Sequence, residues 1–337
     1  MSVNLRVLID RYGPPEVMKL AEEPLPEPGP GQVRVKILAA GVGYSDVMAQ
    51  RGGYSLAPRL PFTPGYDFAG EVDKLGAGVV DMAVGQTVAA LQPDFGCYAR
   101  YLCVPASILV PYPAQLDAAE VVSLVLNYLT AHCILHKKAG VQRGDTALVH
   151  SAAGGVGTAL IQLGGLAGLK LYGTASRAKA DLVRQLGAIP IDYQSEDFVA
   201  VLREAVPGGV DAAFDPMGGS NLRRSYRTVK RGGRVVCYGF AGNHFGGLLP
   251  MATGVAQMAA LNLLPDGKRV LLCATPAECR KDVRWYKDTL ALLIGLLAKG
   301  AIKPVVGATF ALADVSKAHA LLESGKATGK VVLACAE

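Results

Sequence analysis

The 337-residue sequence predicts an α/β fold, a doubly wound parallel sheet with a β-rich, barrel-like part built from the chain on either side of it. Three observations carry this. From about residue 123 to 274, short apolar runs alternate with helix-length amphipathic segments. A glycine-rich turn, Ser151–Gly157, joins the first apolar run of that stretch to a helix. The first 120 residues keep a different rhythm, short strands cut by Gly and Pro.

The β-rich part reads as strands at Val33–Leu38, Gly70–Leu75, Gln86–Leu91 and Tyr98–Val104, with Gly76, Gly78, Gly85 and Gly96 as turn residues. An apolar helix over Val122–Lys138 then ends near Gly140. The strand Thr146–His150 follows and runs straight into the glycine loop. Strands are expected at Lys170–Thr174, Pro190–Asp192, Val210–Phe214, Gly233–Gly239 and Arg269–Cys273. The intervening helices are Thr158–Ala167, Lys179–Leu186, Phe198–Ala205 and Asn221–Val229. Strands and helices alternating at this spacing specify right-handed crossovers and a parallel sheet. A helix over about Asp282–Lys299 returns the chain to strands at Val305–Phe310 and Lys330–Leu333. The domains are therefore expected as 1–122 with 275–337, and 123–274, with a ligand cleft where they meet.

Composition narrows the function classes. With 51% hydrophobic and 18% charged residues, the chain can bury substantial cores and lies far from the disordered regime. The net charge of +6 is spread without a run of like charges or basic–aromatic clusters, which argues against a nucleic-acid partner. Seven scattered cysteines form no C-x-x-C pair, so neither a disulfide framework nor a zinc cluster is indicated. The N-terminus lacks a signal-like apolar stretch. Val121–Leu135 and Leu290–Leu297 read as too short or too interrupted to span a bilayer. A cytoplasmic protein without a membrane partner is expected.

The loop is the functional centre of this reading. A glycine turn between strand and helix leaves backbone N–H groups pointing at a pyrophosphate at the positive helix end. Ala153, Gly154, Gly155, Val156 and Gly157 are the candidate phosphate-cradling residues, with Ala152 standing where the fingerprint usually opens on glycine. An NAD site would place an acid about twenty residues on, to bind the ribose 2′-hydroxyl. Here Thr174–Lys179 offers Ser176, Arg177 and Lys179 instead. A 2′-phosphate pairs with such cations, so NADPH is the expected cofactor.

The chain resembles the medium-chain dehydrogenase/reductase superfamily, in its zinc-independent quinone oxidoreductase (zeta-crystallin-like) branch. The resemblance rests on Gly41–Asp46, Arg51–Tyr54, Pro61–Gly70, Asn127–Thr130, Ala152–Gly157, Ile191–Tyr193, Phe214–Gly218 and Gly325–Lys330, and runs nearly end to end. It implies a GroES-like β-barrel catalytic domain, a Rossmann domain, NADPH and a homodimer. It further implies that Ser176, Lys179, Tyr193 and Lys326 surround the 2′-phosphate. Asn127, Thr130, Tyr238 and Gly239 would face the nicotinamide. Zinc relatives carry Cys and His ligands where Gly43, Tyr66-Asp67 and about Asn127 stand here, so no metal is expected. Family members commonly place Asn at Gly43, and its loss is expected to leave room near the substrate.

Metal-free hydride delivery to a conjugated carbonyl needs positioning and stabilisation of the developing enolate. Tyr54 is the candidate donor, by resemblance to enoyl-thioester reductases, with Tyr44 and Asp46 next as substrate-lining groups. Asp46 could equally cap a helix starting near Val47. Cys237, in a buried-type strand, reads as core. The expected activity is NADPH-dependent reduction of a small-molecule quinone or α,β-unsaturated carbonyl. One alternative is a pathway-specific enoyl (thioester) reductase or cyclase, motivated by Gly43 and the apolar stretch Phe245–Met251. Another is a non-catalytic NADPH-binding protein.

Overall fold

A computed structural model describes residues 3–239 and 248–336, and the chain divides into two compact units, Met1–Leu129 with Pro276–Glu337, and Thr130–Thr275. In the first unit, β1 (Val3–Ile9) and β2 (Met18–Pro24) form an antiparallel hairpin. The larger sheet is built on β3 (Gln32–Val42), whose Val33, Val35 and Ile37 are buried on alternate positions. Around it lie β4 (Asp67–Leu75), β5 (Thr87–Leu91), β6 (Tyr101–Pro105) and β7 (Val110–Pro111). The helix Tyr44–Gln50 follows β3 directly, three residues earlier than the capping argument placed it.

The helix expected over Val122–Lys138 runs uninterrupted from Ala118 to Ala139, with π-helical turns at Leu124–Tyr128 and Cys133–Ala139. Asp117 caps its start by accepting the Ala119 and Glu120 N–H groups, and Gly140 ends it at a φ of +60°. At 22 residues it is long and apolar enough to cross a membrane, which corrects the reading of this segment as too short. Of its most apolar window, 72% is buried inside the protein, as in a core helix.

The second unit holds the doubly wound sheet. Its strands are β8 (Thr146–Val149), β9 (Lys170–Ala175), β10 (Ile189–Asp192), β11 (Val210–Asp215), β12 (Val229–Cys237) and β13 (Arg269–Leu272). They run parallel in the order β10-β9-β8-β11-β12-β13. Leu148, Tyr172, Ile191, Phe198, Leu222 and Val235 anchor its core. Pro190, which cannot donate to a ladder, sits on the edge strand β10. The strand order reverses at β8, and such a switch point opens a crevice at the carboxyl ends of the strands. The helix Leu248–Asn262 precedes β13; the part of the Phe245–Met251 stretch before Leu248 lies outside the described residues.

The chain then adds β14 (Val306–Ala311) and β15 (Lys330–Ala334) to the first sheet, which runs β14-β15-β3-β4-β5-β7 with β6 on β3. The helix Val283–Ala298 packs in the same unit, where Tyr286 Oη accepts the Leu91 N–H at 3.0 Å and donates to the Ile108 carbonyl at 2.8 Å.

Candidate active site

The nucleotide half begins where β8 ends. Ser151 takes a φ of +51°, and the helix Gly155–Leu166 starts after Gly154. A Cβ on Gly157 would stand 2.2 Å from the Ser151 carbonyl oxygen and 2.8 Å from Ala152 Cα, so only glycine lets the helix sit this close to the loop. The departure at Ala152 has a structural counterpart. A Cβ on Gly173 of β9 would lie 2.7 Å from the Ala152 methyl, so glycine at 173 vacates the space that alanine at 152 takes. Ala152 N–H donates to the Thr174 carbonyl at 3.0 Å, and Ala153 is buried beside it. The first-turn N–H groups of the helix, from Gly155 onward, have no intrahelical acceptors, and the helix dipole adds a partial positive charge there. That is the donor set a pyrophosphate takes.

Beneath the loop lies a buried polar chain that the sequence reading did not assign. His150 Nδ1 meets Thr174 Oγ1 and Nε2 meets Ser225 Oγ, each at 3.0 Å. Ser225 Oγ also donates to Asp215 Oδ2 at 2.8 Å, while Asp215 Oδ1 accepts the Met217 and Gly218 N–H groups. The chain pins the ends of β8, β9 and β11 to one another. Burial holds the His150 imidazole below its ordinary pKa.

Ser176 and Lys179 follow β9, and Tyr193 follows β10. The Tyr193 N–H donates to the Ala175 carbonyl at 3.2 Å, which brings the two strand ends together. Lys179 is half-buried, and desolvation lowers its pKa. Two acids do stand here, Asp192 and Glu196, lining a groove of about 260 Å³ with Arg177 and Arg184. Both are engaged in the local turn: Asp192 accepts the Gln194 N–H and Ser195 hydroxyl, and Glu196 accepts the Asp192 N–H. Lys326, in the other unit, is exposed after the helix Val315–Glu323.

Of the residues expected near the nicotinamide, Asn127 and Thr130 are buried, and Thr130 Oγ1 lies 2.7 Å from Thr275 Oγ1. The Tyr238 N–H donates to the Asp215 carbonyl at 3.0 Å, and a Cβ on Gly239 would meet the Pro216 carbonyl at 2.8 Å. Cys237 is core: its thiol is pushed up to about 12 by burial.

The residues expected to meet the acceptor, Tyr44, Asp46 and Tyr54, lie in the first unit. Tyr54 is half-buried, with its ring edge-on to Tyr66 and Phe95 at centroid distances of 6.2 Å. Tyr66 packs on Phe95 at 4.1 Å, and its hydroxyl donates to Tyr54 Oη at 3.2 Å. Gly65, at a φ of +100°, sets this up. A Cβ there would lie 2.5 Å from the Tyr98 ring. Desolvation raises the pKa of both phenols; for Tyr54 the Tyr66 hydrogen bond works the other way, and the Arg280 charge lowers both.

Asp46 does not serve as a substrate-lining group. It is fully buried, its Oδ2 accepts the Gly43 N–H at 2.8 Å, and its Oδ1 accepts the Gly65 N–H at 3.1 Å. It is a cap that also fixes the turn before Tyr66. Burial lifts its carboxyl to about 7. Tyr44 is partly buried at the first turn of the same helix, its pKa raised by desolvation and by Glu323. At Gly43 a Cβ would find Ser45, Asp46 and Leu126 atoms at 3.2–3.4 Å.

Comparison with known proteins agrees with this geometry. Residues 29–114 match the alcohol dehydrogenase GroES-like domain and residues 186–333 match the zinc-binding dehydrogenase model. The chain is 33% identical to the human synaptic vesicle membrane protein VAT-1 homolog, over 97% of this chain and 85% of that one. It is 30% identical to rat quinone oxidoreductase, over 97% and 96%. The chain belongs to the zinc-independent quinone oxidoreductase family of medium-chain dehydrogenases/reductases. The crystal structure of Escherichia coli quinone oxidoreductase complexed with NADPH superposes with a TM-score of 0.88 at 26% identity, covering 98% of this chain and 99% of that one. The protein is accordingly an oxidoreductase that uses NADPH, with a GroES-like domain and a Rossmann-like parallel sheet. The non-catalytic alternative is set aside by these enzyme relatives.

Zinc ligation does not carry over to these side chains. Where relatives place ligands, this chain has Gly43, Tyr66, Asp67 and Asn127. The one carboxylate among them is already held: Lys330 Nζ lies 2.6 Å from Asp67 Oδ2, with both side chains buried. Gly41 makes that possible, because a Cβ there would stand 2.4 Å from Lys330 Nζ. Among the described residues, no three His, Cys, Asp or Glu side chains converge as a metal site.

Proposed function

We propose that the protein reduces a small-molecule quinone or α,β-unsaturated carbonyl, with Tyr54 as the group that hydrogen-bonds and protonates the reduced acceptor. The observation that carries this reading is the Tyr54 hydroxyl, half-buried against an aromatic wall and backed by a second phenol. When bound, NADPH supplies a hydride. The chain's own residues do the rest. The Gly154–Gly157 turn and the helix end behind it hold the pyrophosphate, and Ser176, Lys179, Tyr193 and Lys326 receive the 2′-phosphate. Asn127, Thr130 and the Tyr238-Gly239 backbone would face the nicotinamide when the cofactor is bound, and Tyr44 would border the acceptor. The Phe95 and Tyr66 rings beside Tyr54 lower the local dielectric, which strengthens a hydrogen bond made there.

Stopped-flow NADPH oxidation against a panel of quinones, enones and enoyl thioesters tests this. Turnover is expected with the first two classes, and none with any of them would sink the reading. Replacing Tyr54 by Phe is expected to lower kcat about 10²-fold with little change in KM, within the usual range for a general acid; an unchanged kcat would remove Tyr54 from the mechanism.

A homodimer in the cytoplasm completes the proposal. Among the described residues, the strand β13 has a neighbour on one side only, and Leu272 on it is 41% exposed, as an edge awaiting a symmetry mate would be. Sedimentation equilibrium of the Leu272→Lys variant should give monomer where the parent gives dimer.

A further inference from the structure

We infer that Tyr66 is a positioning residue for Tyr54: its hydroxyl holds the Tyr54 oxygen as a hydrogen-bond acceptor and stabilises the phenolate left when Tyr54 gives up its proton. The inference rests on the reductase reading for its consequence and on geometry for its substance. In the pair, Tyr66 donates and Tyr54 accepts at 3.2 Å, which leaves the Tyr54 proton available to a third atom. Tyr66 is 1% exposed while Tyr54 is half-buried, so the inner phenol supports and the outer one meets the ligand.

The surroundings fix this order. Tyr66 cannot swing away, because its ring packs on Phe95 and its carbonyl accepts the Gln92 N–H at 2.6 Å. Phe95 itself holds a φ of +66°, a conformation that a bulky residue keeps only when its neighbours impose it. Gly65, just before Tyr66, is tied to buried Asp46. Desolvation and the buried Asp46 carboxyl disfavour the Tyr54 phenolate, the Tyr66 hydrogen bond favours it, and the Arg280 cation, paired with Asp94, favours it to a lesser degree.

The step balances as follows. As the β-carbon of the acceptor gains the hydride as a new C–H bond, its C=C π pair moves towards the carbonyl to give an enolate. The enolate takes the Tyr54 proton, the Tyr54 O–H bond breaks, and its electron pair stays on the phenolate oxygen. The Tyr66 hydroxyl hydrogen-bonds that oxygen until water returns the proton. A hydrogen bond to a charged oxygen is among the stronger kinds, so Tyr66 makes Tyr54 a better acid by about one pH unit, roughly tenfold.

Two measurements test it. Trifluorotyrosine placed at position 54 brings its ionisation into an accessible range, read by absorbance with no substrate present. In that background Tyr66→Phe is expected to raise the pKa of residue 54 by about one unit; an unchanged or lowered pKa overturns the inference whatever the protein reduces. In the native background Tyr66→Phe should lower kcat about tenfold with KM within twofold, and should cost nothing further once Tyr54 is Phe. An equal loss in both backgrounds would mean that Tyr66 acts by packing, and overturns the inference. Should the parent oxidise no NADPH with any acceptor, the reductase reading fails, while the optical titration still decides whether Tyr66 governs Tyr54.

Discussion

Two glycines of one helix show how a residue's surroundings decide its worth. Gly157 and Gly165 both lie in Gly155–Leu166, and alanine would gain about 0.5–1 kcal/mol of helix propensity at either. At Gly165 nothing lies within 4 Å of a new Cβ, so Gly165→Ala should raise stability by that amount, read as a higher urea midpoint. At Gly157 the Cβ meets backbone of the phosphate loop at 2.2 Å, and backbone cannot rotate away. Overpacking of this kind costs about 1–3 kcal/mol and outweighs the propensity gain. Gly157→Ala should therefore lower the midpoint and weaken NADPH binding at least tenfold by fluorescence titration. The sequence showed the first fact, a glycine loop, without the second, its compensating Gly173. The contact between Ala152 and Gly173 spans two strands and leaves no local pattern. Tyr66 and the Lys330–Asp67 pair were hidden in the same way, since only folding brings residues 263 apart in sequence to 2.6 Å.

Elements were legible where their environment is uniform. The strands of the parallel sheet are covered on both faces, so they read as continuous apolar runs, and β8, β9, β11 and β13 lie within a residue or two of their expected bounds. The β1–β2 hairpin escaped notice because β2 carries Lys19 and Glu22 on exposed positions and Glu23 on a half-buried one, which interrupts any apolar pattern. The helix Ala118–Ala139 was placed but cut short, because its polar start, Ala118–Glu120, is the part that a cap rather than apolar periodicity marks. At the paired ends of β9 and β10 the discrimination between cofactors can be isolated. Lys179→Ala removes one cation from the proposed 2′-phosphate edge while Asp192 and Glu196 stay engaged in their turn. NADPH should bind about tenfold more weakly and NADH unchanged, and the NADPH loss should shrink at high salt. Equal weakening of both cofactors would instead assign Lys179 to the fold.

For the molecule as a whole, buried titratable groups make stability depend on pH in two opposing ways. Asp46 holds its proton up to about 7, far above an unfolded carboxyl, because burial outweighs the two N–H groups it accepts. Its contribution is complete below about pH 4, where both states are protonated, and is lost as pH rises towards 7. His319 runs the other way. Burial drives it down to about 3, its ring nitrogens meeting Gln50 Oε1 at 2.5 Å and Tyr98 Oη at 3.3 Å. The unfolded imidazole gains a proton below about 6.5, so the His319 contribution is present at neutral pH and lost on acidification. At about 1.4 kcal/mol per pKa unit, each effect is on the order of 4 kcal/mol across the same window, and in the parent they largely offset. Single variants should expose them. Urea unfolding of Asp46→Asn should show stability rising more steeply from pH 4.5 to 7.5 than in the parent. His319→Gln, which keeps a donor and an acceptor, should rise less or fall. Parallel pH profiles for the parent and both variants would show that neither group titrates as its burial dictates. Both groups are fully buried in the first unit, so the opposition belongs to the part of the chain that carries Tyr54 and Tyr66. The same cap that steadies the turn before Tyr66 thus makes the acceptor half sensitive to alkali, and Asp46→Asn should also flatten any loss of kcat between pH 7 and 8.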